Sequence, residues 1–147
     1  MMTTMRRGIL RVNALWLIGA SIGGLSMDVL GIFFERGPQR LIGAVAPQAG
    51  VGFIEAHGLA LIFGILLWRA IPVGFWHLTA AAVHALLGTA NLVFWQFFIA
   101  ANMLAAGYLT TTLHGLFVVL QLIAATTPVT TTARTSAANR YDVQGAN

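Results

Sequence analysis

Six side chains able to hold a ligand, a proton or a cofactor stand in or beside apolar stretches of this sequence: Asp28, Glu55, His57, His84, Asn91 and His114. Ionisable groups in such surroundings are costly and by default face a bundle interior or a cavity. Two of the histidines share a context, because His57-Gly58-Leu59 returns as His114-Gly115-Leu116, 57 residues later. At that fixed offset, ten of the thirty positions from Leu30 to Leu59 are identical to their partners. Ordinary residue usage in an Ala-, Gly- and Leu-rich chain would give about 3. The pattern reads as a duplicated helical hairpin with a histidine at the same place in each copy.

Several chemistries fit these residues. Two imidazoles from two helices at similar depth are the axial-ligand set of a b-type haem, so His57 and His114 are the candidate cofactor residues, with Gly58 and Gly115 leaving room for a flat macrocycle. Quinone-linked electron transfer near the same pair belongs to this reading. A proton-coupled transporter would use Asp28, Glu55 and His84. Metal chelation is disfavoured, since Glu55 and His57 are two apart on a helix and point to different faces. His77 and His84 share a face, but His77 is placed at a water-facing rim beside Trp76. The bland alternative is that the polar groups hydrogen-bond across helices and fix the packing, where couplings average only ~0.6 kcal/mol in one system.

The elements carrying these residues are set by composition. Hydrophobic residues make up 58% of the chain and charged ones 8%, with a mean hydropathy of +0.81. Such a chain cannot cover its apolar surface in water, which predicts an all-α integral membrane protein. Four spans are expected at about residues 12–34, 51–70, 75–98 and 104–125, forming a four-helix bundle within residues 1–127. The first is of spanning length rather than a cleaved signal. Glu35-Arg36-Gly37-Pro38 should end it, and Leu41 to Val45 should lie along the interface. Residues 128–147 read as a polar, disordered tail.

The eight basic residues are all arginines, scattered over termini and loops. Despite a pI near 11.2, no basic face exists for nucleic acid. Six arginines at one side of the spans against two at the other place both termini in the cytoplasm. The two hairpins are then parallel repeats about an axis along the membrane normal. Cysteine is absent, which removes disulfides, thiol catalysis and cysteine metal sites. No hydrolase, nucleotide or zinc-protease signature occurs.

An Arg-led, glycine-containing first helix, an outer segment with Pro47, and Glu55 ahead of a glycine-containing apolar helix occupy roughly residues 6 to 70. This layout resembles the small four-helix bacterial membrane proteins of the DoxX-like type, over under half of the chain. That family is named from a quinone-linked sulfur-oxidising subunit, so the resemblance implies a bacterial inner (plasma) membrane protein. No catalytic residue carries over from it. The expected function is a non-catalytic subunit or small-ligand-binding protein, whose partners are the bilayer and a homo-oligomer or larger membrane complex.

Overall fold

A computed structural model describes residues 2–127, and the expected disordered tail lies outside them. Every regular element among the described residues is a helix: α1 (Met2–Phe34), α2 (Arg40–Val45), α3 (Ala49–Arg69), α4 (Gly74–Val93), α5 (Trp95–Ala100) and α6 (Leu104–Thr126). Three stretches are long and apolar enough to cross a membrane, Thr4–Phe34, Ala49–Arg69 and Leu104–Thr126, and they mark a membrane protein. α4 is also 20 residues long, but His77, His84 and Asn91 make it less apolar.

The long helices pair as two antiparallel hairpins, α1 with α3 and α4 with α6, and α1 also packs against α6. On α1 the buried positions Leu10, Asn13, Ala14, Leu17, Ser21 and Asp28 recur at spacings of three, four and seven, the stripe of a helix that buries one face. Leu10, Ala14 and Leu17 meet Leu67 of α3 and Ala80 of α4 in a small core. Outward positions are large and apolar, among them Leu59 and Ile62 of α3, Leu86 of α4 and Leu109 of α6. That distribution suits hydrocarbon as solvent.

Two expectations about helix limits are corrected. α1 begins at Met2 rather than Val12, because its polar start is held by α6. The buried Arg6 donates from Nη2 to the carbonyl of Ala125 at 3.2 Å, a cation at the C-terminal end of a helix dipole. Arg11 lies over Trp68 at 4.3 Å. The third long helix stops at Val93 rather than Phe98, and the short α5 follows Phe94. The break turns an aromatic run back onto its neighbours: Trp95 meets Tyr108 edge-on at 4.8 Å, and Phe97 meets Phe53 at 5.2 Å. Phe98 lies over Gly107, where a Cβ would come within 2.8 Å of the ring.

α1 ends at Phe34, just before Glu35, and the segment expected along the interface forms the helix α2. Each hairpin's connection contains a non-glycine residue in the left-handed region, Glu35 at φ 54° and Asn102 at φ 53°. After Asn102, the amide of Met103 donates to Phe98 O at 2.8 Å, the Schellman closure of a helix end.

Close approach within the first hairpin depends on missing side chains. A Cβ on Gly31 would meet the Gln39 backbone at 2.6 Å, and one on Gly64 would meet Ile18 at 2.9 Å, whereas Gly19 has nothing within 4 Å. Gly31→Ala is therefore expected to destabilise the fold by about 1–3 kcal/mol, the usual cost of overpacking. Gly19→Ala should be neutral or mildly stabilising. Unfolding in mixed micelles by denaturing detergent, followed by circular dichroism, separates the two.

Candidate polar site within the helices

The polar side chains do not form one seam. They divide into three groups held by different sets of helices, which take up Asp28, His57, His84, Asn91 and His114 but not Glu55.

The first group joins α1 to α3. Asp28 is fully buried, and its Oδ2 lies 2.5 Å from Nδ1 of His57. One proton lies between them. The second carboxylate oxygen, Oδ1, is buried without a partner. The imidazole fits against α1 only because residue 24 is glycine; a Cβ there would overlap the ring. Glu55, two residues before His57, is exposed on the outer face of α3 and belongs to no group.

The second group joins α1, α4 and α6, and most of it is fully buried. Nδ1 of His77 lies 2.5 Å from Oε1 of Gln121, and Gln121 donates from Nε2 to Oδ1 of Asn13 at 2.7 Å. Asn13 Nδ2 lies 2.5 Å from Nε2 of His84, and His84 Nδ1 faces His114 Nδ1 at 2.8 Å. The His84 ring also stacks on Phe117, with centroids 4.9 Å apart. The expectation that His77 faces water at a rim is corrected, since it is 0% exposed.

The third group is small. Asn91 donates to Thr110 Oγ1 at 3.0 Å, and that hydroxyl in turn donates to the carbonyl of Ala106. Along α1, fifteen residues separate Asn13 from Asp28, about 22 Å at helical rise. The first two groups thus occupy different depths. His57 and His114 are each engaged through Nδ1 by a neighbour in the same hairpin, and α3 and α6 share no extensive contact. Among the described residues, no cluster of three or more His, Asp or Glu side chains is placed to hold a metal ion.

Asn13, His77 and Gln121 were not among the residues singled out for a ligand or proton, yet their spacing carries a signal. His77 and His84 are seven apart on α4, and His114 and Gln121 are seven apart on α6. In antiparallel helices, two such pairs meet rung for rung. Asn13 is a polar break in an apolar run, and its partners are 71 and 108 residues away.

No family model matches the chain, and no curated protein or solved structure shows significant similarity to it.

Because Asn13 bonds two groups at once, Asn13→Leu leaves both His84 Nε2 and Gln121 Nε2 without a partner. Orphaning buried polar groups costs about 1–3 kcal/mol each. Asn91→Leu frees only a partly buried hydroxyl, with an expected cost near ~0.6 kcal/mol. Detergent unfolding of both variants gives the ranking, and equal losses would contradict it.

Proposed function

We propose that this is a four-helix integral membrane protein, a duplicated hairpin, which acts without catalysis of its own as a subunit or small-ligand-binding component of a membrane assembly. α4 is the fourth span: it packs along α6, and its histidines and asparagine are partnered there, which lowers the cost of carrying them through lipid. Duplication is supported by the order long, short, long in each half. It is also supported by the pairing of each half's repeated histidine with a residue 29 or 30 positions earlier. Among the described residues, Arg6, Arg7, Arg11 and Arg69 gather at one end, against Arg36 and Arg40 at the other. That bias favours cytoplasmic termini in a bacterial plasma membrane, and the DoxX-like layout agrees with it.

Glu55 carries the assembly reading. It is exposed on α3, six residues beyond the helix start, or about 9 Å along the axis, among the exposed apolar residues Val51, Leu59 and Ile62. A carboxylate facing outward at that depth gains a partner when a second chain brings a cation or donor to it. The expected result is an oligomer or larger complex in native gels after mild detergent extraction. Glu55→Gln should shift it toward the lone chain without loss of helicity. A monomer at every detergent concentration, indifferent to Glu55, would sink the assembly reading.

A further inference from the structure

The buried network on α1, α4 and α6 has a direction, and the direction decides what it presents to the membrane. Gln121 donates its amide N–H to Asn13. The Asn13 oxygen is thereby occupied as an acceptor, and its own NH₂ faces His84 Nε2. That nitrogen must accept, so a neutral His84 carries its proton on Nδ1. His84 Nδ1 then donates to His114 Nδ1, and His114 in turn carries its proton on Nε2. At the other end, His77 Nδ1 donates to Gln121 Oε1, and His77 Nε2 is a bare nitrogen.

The reverse polarity would put the N–H on His77 Nε2, an atom buried with no partner. An orphaned buried N–H is the rarer and costlier defect, so burial at His77 selects the forward direction. Every donor in the chain points toward His114. Its Nε2 has no hydrogen-bond partner among the described residues and is not among the enclosed unpaired atoms; the residue keeps 9% of its surface.

We infer that His114 Nε2–H is a ligand-binding donor at mid-depth in the bilayer, and that its ligand is an apolar molecule bearing a carbonyl oxygen. This rests on the membrane-spanning reading above. His114 is the eleventh of the 23 residues of α6, about 15 Å from the helix start. Lipid ester carbonyls lie in the interfacial layer, outside a hydrocarbon core ~30 Å thick, and do not reach that depth. An N–H facing hydrocarbon lacks the acceptor that water would supply, so an oil-soluble carbonyl compound is the partner that satisfies it. The next residue, Gly115, is exposed, with nothing within 4 Å of its Cβ position. On the other side, Gly88 lies against the His114 Cβ, where a side chain would crowd it at 3.3 Å.

The test uses the full chain with ¹⁵N-labelled histidine in lipid bilayers, where nitrogen NMR distinguishes protonated from bare ring nitrogens. His114 should carry its proton on Nε2 and His84 on Nδ1. Adding 12-tricosanone, whose carbonyl sits at the middle of its chain, should shift the His114 Nε2 resonance, while the alkane tricosane should not. His114→Phe keeps a ring of similar size and should weaken ketone binding about tenfold, the equivalent of one lost hydrogen bond. A bare His114 Nε2, or equal responses to ketone and alkane, would overturn the proposal. So would a contact from Nε2–H to a differently labelled second copy in ketone-free bilayers, which would assign the donor to an oligomer contact. A chain that assembles normally yet ignores the ketone removes only this site, whereas failure to insert into bilayers removes the membrane reading beneath it.

Discussion

The side chain of Asn13 is the polar bolt between the two hairpins. One amide accepts from Gln121 on α6 and faces His84 on α4, while its own helix packs along α3. In hydrocarbon the hydrophobic effect gives helices little reason to associate, and packing together with interhelical hydrogen bonds must do so. The small apolar core, formed by Leu10, Ala14, Leu17, Leu67 and Ala80, lies on the same part of α1. Packing and polar satisfaction therefore reinforce each other at one level of the bundle.

The two hairpins use their repeated histidines differently. His57 meets a carboxylate, and with that group as acceptor its Nδ1 is a donor. His114 meets another imidazole, and its Nδ1 is an acceptor. Similar frames thus present opposite hydrogen-bonding characters. The difference originates in the partner residues, Asp28 on α1 and His84 on α4, rather than in the histidines themselves.

Membrane character and helical class were legible in the sequence because they depend on composition and on the length of apolar runs. Helix limits were less so. The polar start of α1 is helical because Arg6 reaches Ala125, 119 residues away, and the end of α4 is set by aromatic contacts to Tyr108 and Phe53. Local pattern holds neither fact. The same applies to the polar groups. Their residue types marked them as costly, but which residues pair depends on the rotation of each helix about its axis. His77 appeared to be at the edge of a span by counting, yet it turns inward onto Gln121. The heptad spacing on α4 and α6 contained that register, readable only once the two helices are set side by side.

The contacts of α1 also bear on how the protein is made. This helix is synthesised before α6, yet the acceptor for Arg6 and the donor to Asn13 lie on α6, 119 and 108 residues downstream. Until α6 leaves the ribosome, a nascent chain holds an arginine and an amide in or near lipid without their final partners. Helix insertion and bundle closure are thus separate events here, and the interval between them is fixed by the time needed to translate the second hairpin. A chain truncated before Gln121 keeps α1, α3 and α4 but loses the last turns of α6, so Arg6 and Asn13 never gain those partners.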